Sequence, residues 1–112
     1  MTPIEFANKH NYKIINSGEG ANRNIDGVYC CDLLSIVMGR AKADNAWITV
    51  MGNINSIAVA LLSDVACIIL SEGMPLDKEA MAKAQHQDIC VISSELPTFE
   101  IAMQLNDDLK LA

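Results

Sequence analysis

Apolar residues along this chain fall into two kinds of segment. Short apolar-rich runs stand at residues 12–16, 27–31, 46–51, 66–70 and 89–92, and between them lie longer segments, 33–41, 56–65, 76–87 and 98–109, with apolar positions at helical spacing. The runs at 46–51 and 66–70 show no alternation, the mark of strands buried on both faces. The longer segments read as helices, those other than 56–65 with one apolar face. A short helix is expected over 3–9, with Thr2 as N-cap, Pro3 as first helical residue and Glu5 near the positive helix end. Strands alternating with helices predict an α/β fold. The expected architecture is a single-domain α/β/α sandwich over residues 1–112, with a mostly parallel sheet of about five strands. Strand order stays open, and the stretch 17–26 is long enough to reverse an edge strand.

Polar punctuation refines this outline. Residues 17–26, SGEGANRNID, carry no apolar period and read as a loop. Asp32 is placed to cap the helix that follows it. The helix over 56–65 is apolar nearly all round, which predicts deeper burial than a solvent-facing helix has, or a partner subunit over it.

Three turns share one predicted location. In a parallel sheet the turns after 46–51, 66–70 and 89–92 all lie at the carboxyl ends of their strands, where open α/β sheets place ligands. Asn53, Asn55 and Ser56 belong to the first turn, Ser71, Glu72 and Gly73 to the second, and Ser93, Ser94 and Thr98 to the third. Backbone N–H groups and short polar side chains converge there, so these nine residues are the candidate ligand site. The same residue types also make turns and caps without any ligand. Glu72 and Glu95 on the rim disfavour a phosphate and tolerate a cation or an amine.

Composition narrows the function classes. The chain has 112 residues, a net charge of −6 and only 4% aromatic residues, so its core is built from Ile, Leu, Val, Ala and Met. An acidic chain without clustered Lys and Arg argues against nucleic acid or an anionic membrane surface as partner. The first ten residues lack a basic region followed by an apolar run, and polar residues interrupt 46–62, so neither a signal peptide nor a membrane span is expected. The expected location is the cytoplasm, with Cys30, Cys31, Cys67 and Cys90 reduced. Their spacing lacks the CxxC pattern of metal ligands, so no metal and no cofactor are expected. His10 and His86 read as surface histidines, and the methionines as fillers of core gaps or as an adaptable binding surface. No GxxxxGK[ST] phosphate loop and no catalytic constellation occurs, which argues against phosphoryl transfer and against an enzyme.

Four features together resemble the DRTGG domain, a module found beside CBS domains and in bacterial phosphate acetyltransferases, and similar in fold to the amino-terminal domain of HPr kinase/phosphorylase. They are GVYC at 27–30, ITVMGN at 48–53, IILSEG at 68–73 and PTFE at 97–100, and the resemblance runs over about 27–105. Asn53 and Ile54 stand where that family has Asp and Arg, and Ser71, Glu72 and Gly73 where it has Thr-Gly-Gly. Gly73 alone of the five eponymous residues is kept, so the chain resembles a divergent, stand-alone member. The resemblance implies a non-enzymatic regulatory or interaction domain that self-associates as a homodimer. The alternatives are a small-molecule sensor, for a nucleotide or metabolite, using the three turns, and an accessory subunit of an enzyme or kinase system with a protein partner.

Overall fold

The computed structural model describes residues 1–110; residues 111 and 112, the end of the expected domain, lie outside them. The elements follow in the order α1 (Pro3–His10), β1 (Lys13–Asn16), a 3-10 turn (Glu19–Asn22), β2 (Gly27–Cys30), α2 (Leu34–Arg40), β3 (Asn45–Thr49), α3 (Ile54–Ser63), β4 (Cys67–Leu70), α4 (Lys78–Gln87), β5 (Val91–Ser93) and α5 (Thr98–Leu109). The sheet order is β1-β5-β4-β3-β2. Strands β2, β3, β4 and β5 are parallel, and β1 lies antiparallel to β5 at the edge.

Alternation of side chains along each strand divides the core in two. Ala46, Ile48, Cys67, Ile69 and Ile92 face α1 and α5, whose Phe6, Ala7, Ile101 and Leu105 complete one cluster. Trp47, Ile68, Leu70 and Val91 face the opposite layer, where α2 supplies Val37, α3 supplies Ile57, Val59 and Ala60, and α4 supplies Ala80 and Ala84. The expected sandwich and its mostly parallel sheet are therefore present, and an edge strand is indeed reversed.

Several local expectations are corrected. Asp32 does not cap α2, which starts at Leu34 after Leu33 without a side-chain cap. Its carboxylate instead accepts hydrogen bonds from Thr49 Oγ1 at 2.7 Å and from the Val50 N–H at 3.0 Å, tying the β2 exit to the end of β3. Two donors at the end of β3 outcompete one helix cap. The stretch 17–26 is not a featureless loop. It contains the 3-10 turn, with Gly20 and Ala21 buried, and Arg23 anchors it to Asp44 Oδ1 at 2.6 Å and Asp64 Oδ1 at 3.1 Å. Helix α3 is not buried all round: Ile54, Leu61 and Leu62 are exposed, Leu62 to 70%. As the middle helix of its layer it packs on the sheet and on both neighbours, and among the described residues its outward side is uncovered. Met38, Met74 and Met103 also lie on the surface rather than in core gaps.

His10 is not a simple surface histidine. It packs against Phe6 with ring centroids 4.8 Å apart, and its Nε2 donates to Asp108 Oδ2 at 2.7 Å, while Lys9 Nζ reaches Asp108 Oδ1 at 2.6 Å. The Asp108 side chain is only 6% exposed. Burial alone would raise its pKa, but hydrogen bonds from Lys9 and His10 and the charges beside it outweigh burial and hold the carboxyl below its ordinary value. A carboxyl depressed in the folded state stabilises above its unfolded pKa, and that stability is lost as pH falls through the folded pKa. Urea midpoints of the native chain and Asp108→Asn are therefore expected to differ at pH 7 and to converge as pH drops below about 4.

Candidate functional site

The three turns meet on one rim, as the parallel register requires. Backbone hydrogen bonds weld them: the Glu72 N–H donates to the Leu96 carbonyl at 2.9 Å, Gly73 N–H to the Ser94 carbonyl at 2.9 Å, and Asp77 N–H to the Gly52 carbonyl at 2.7 Å. Gly52 has no side chain because a Cβ there would overlap the Pro75 carbonyl. Gly73 adopts φ +66°, and the Glu95 carboxylate lies in the space a Cβ would fill. The one eponymous residue retained is thus favoured by its left-handed backbone conformation, with the Glu95 carboxylate packed on it.

Most of the nine candidate side chains have local work. Asn53 caps α3 by accepting from the Ser56 N–H at 3.0 Å. Ser56 and Ser71 are fully buried. Ser71 Oγ and Thr98 Oγ1 are hydrogen-bonded at 2.7 Å, which joins the end of β4 to the start of α5. Ser94 Oγ accepts from the Leu96 N–H at 3.0 Å. Asn55, Glu72 and Gly73 are exposed, while Ser93 is half-buried at the tip of β5. Asn53 and Asn55 lie at the start of α3, beside an open groove lined by Asn53, Ile54, Asp77, Lys78 and Glu79. The rim therefore holds the candidates together but commits Asn53, Ser56, Ser71, Ser94 and Thr98 to structure.

What remains open lies toward the β1 edge. Because β1 runs antiparallel, Lys13 at its start pairs with Ser93 at the end of β5. This brings Lys13 onto the rim, where residue spacing gave no hint of it. A groove of about 390 Å³ is lined there by Lys13, Ser93, Gly73 and Glu95 together with apolar Ile15, Met74, Leu76 and Met81. A second, of about 340 Å³, lies on the other side of Lys13 and Ser93 against His10 and Tyr12. Burial pushes the Tyr12 hydroxyl up to about 12, and it donates to Gln104 Oε1 at 2.5 Å, so it serves as a neutral donor.

Burial keeps the thiols of Cys30, Cys67 and Cys90 protonated. Burial raises Cys67 well above its ordinary value and Cys90 to about 12. Burial, then the Asp32 charge, also raises Cys30. All four cysteines are free. Among the described residues no three His, Cys, Asp or Glu side chains cluster closely enough to hold a metal ion, and no helix is long and apolar enough to cross a membrane.

The sequence profile of the DRTGG domain matches residues 5–107, nearly the whole chain. The chain belongs to the DRTGG domain family. Its fold is also that of a solved structure, the CBS and DRTGG domains of the regulatory region of Clostridium perfringens pyrophosphatase, crystallised with its activator diadenosine tetraphosphate. The TM-score is 0.71 at 14% identity, over 93% of this chain and 45% of that one, so this DRTGG domain spans less than half the length of that neighbour. No curated protein matches the chain. The likeness reaches the fold and the family. The rim of this member carries Asn53 and Ile54 in its first turn, Glu72 in the second and Glu95 in the third.

Proposed function

We propose that this DRTGG domain is a non-enzymatic, cytoplasmic regulatory module that self-associates as a homodimer through the outward face of α3. One observation carries the reading. Ile54, Ala58, Leu61 and Leu62 recur at i, i+4, i+7 and i+8, and α3 contains no charged residue. Ile54, Leu61 and Leu62 are all exposed on this stripe. In a chain of net charge −6, an uncharged helix face is where two copies approach with least repulsion. A two-fold axis sets the same stripe against itself, as an isologous contact requires. Covering a leucine fully is worth about 1.5–3 kcal/mol. Exposed Leu33, Ile36 and Met38, at and on neighbouring α2, widen the apolar surface.

The test is the double variant Leu61→Glu/Leu62→Glu. It should lose self-association while keeping its circular dichroism spectrum, whereas Phe99→Glu, on the opposite layer and 72% exposed, should leave self-association intact. Equal loss in both variants would refute the assignment of the face.

A second reading, a small-molecule sensor, is supported by the open groove beside Ser93 and Gly73 and by the activator bound to the regulatory region of similar fold. A thermal-shift screen of nucleotides and metabolites tests it, since a ligand of the folded state raises apparent stability.

A further inference from the structure

The groove between β1, the tip of β5 and the turn before α4 carries two opposite charges that do not meet. Lys13 and Glu95 both line it, and neither belongs to an ion pair among the described residues, whose pairs involve Asp108, Glu19, Asp44 and Asp64. Glu95 is not an idle surface carboxylate. The turn that carries it is welded to the turn of Glu72 and Gly73 by two backbone hydrogen bonds, and its carboxylate rests on Gly73, where any Cβ would displace it. Lys13 is brought to the same rim by its register with Ser93 on the reversed strand. The rest of the lining is largely apolar: Ile15, Pro75, Leu76 and Met81, with Met74 exposed. The groove, about 390 Å³, falls in the range of small-molecule sites, roughly 300–1,000 Å³.

We propose that this groove binds a free amino acid with an apolar side chain, its ammonium on Glu95, its carboxylate on Lys13 and its side chain against the methionines. The proposal rests on the sensor reading and names its ligand class. A polyphosphate suits the groove poorly, because one lysine cannot offset several phosphate charges beside Glu95 and Glu72. An amine or a carboxylic acid alone leaves one of the two charges without a partner. Only a zwitterion satisfies both, and the flexible thioethers of Met74 and Met81 adapt to aliphatic or aromatic side chains. Lys13 comes from β1, Glu95 from the turn after β5, Met74 from the turn before α4 and Met81 from α4 itself, so the site exists only in the folded domain.

Titration calorimetry of the full chain with methionine, leucine and phenylalanine is the test, with their N-acetyl and amide derivatives and diadenosine tetraphosphate alongside. At least one free amino acid is expected to bind. Removing its ammonium charge or its carboxylate should weaken binding about tenfold or more, the scale of one charge-assisted hydrogen bond. Lys13→Gln and Glu95→Gln, both exposed and outside the core, should do the same. Binding that is unchanged in the derivatives, or in both variants, would overturn the proposal. Binding of the nucleotide without any amino acid would overturn the ligand class and leave the sensor reading standing. No heat from any compound would overturn the amino-acid proposal, and the wider metabolite screen then decides the sensor reading separately.

Discussion

Replacing Trp47 with alanine is expected to remove about 3–5 kcal/mol of stability, the usual cost of a large aromatic lost from a core. Trp47 is the largest fully buried side chain. It lies on β3 between β2 and β4 and packs into the layer of α2, α3 and α4. Its Nε1–H donates to the Cys31 carbonyl at 2.9 Å, where the chain leaves β2. Truncation therefore opens a cavity and also deprives a partly buried carbonyl of its donor. Trp47→Phe separates the two costs, since it keeps most of the volume and loses the hydrogen bond, and its loss should be clearly smaller. Urea unfolding followed by circular dichroism measures both variants, because the chain has only one tryptophan and each substitution removes the fluorescent probe. Equal stability of the native chain and Trp47→Ala would mean that the β3 core is not packed as described.

Gly52→Ala is expected to destabilise by about 1–3 kcal/mol or more, the range for forcing an extra methyl into a packed site. The obstacle at Gly52 is the Pro75 carbonyl, with the Leu76 Cα close behind, so backbone rather than a rotatable side chain must give way. The same turn accepts the Asp77 N–H, and a shift there loosens the start of α4 as well. Gly39→Ala is the matched control. Gly39 lies within α2, where a Cβ meets nothing within 4 Å. Alanine there should stabilise by about 0.5–1 kcal/mol through helix propensity. Thermal melts of the two variants should move in opposite directions. A rise for Gly52→Ala would contradict the welded rim.

The layered fold was legible from residue pattern because both of its periods are strong. Helix α5 begins and ends where the pattern places it, at Thr98 and Leu109. Its apolar positions recur on one face and Pro97 marks its start. Strands β3 and β4 were legible from their unbroken apolar runs. The direction of β1 was not, because a short edge strand of mixed burial pairs either way and only its partner decides. That ambiguity hid Lys13 from the site, since a parallel β1 would have put it at the opposite end of the sheet. Asp32 was misplaced for a related reason: its capping preference is local, while the Thr49 hydroxyl and Val50 N–H that bind it arrive from another strand. His10 stands near a helix end, and only the docking of α5 against α1 gives it Asp108 as a partner.

The nine rim residues show how far turn chemistry carries. Their gathering at the strand ends follows from a parallel sheet alone. Their division into structural and open groups does not, because the Ser71–Thr98 hydrogen bond and the Asn53 cap depend on side-chain directions that residue type leaves free. The outward face of α3 was read as an interface from its composition, and α3 lies in the middle of a three-helix layer with that face uncovered among the described residues.

The proposed module stands or falls on whether the outward face of α3 joins two copies of the domain. Light scattering across a concentration series, from micromolar upward, tests it most directly. The account predicts twice the 12.2 kDa chain mass, with dissociation only on dilution or in Leu61→Glu/Leu62→Glu. A native chain that stays monomeric throughout that range would contradict it.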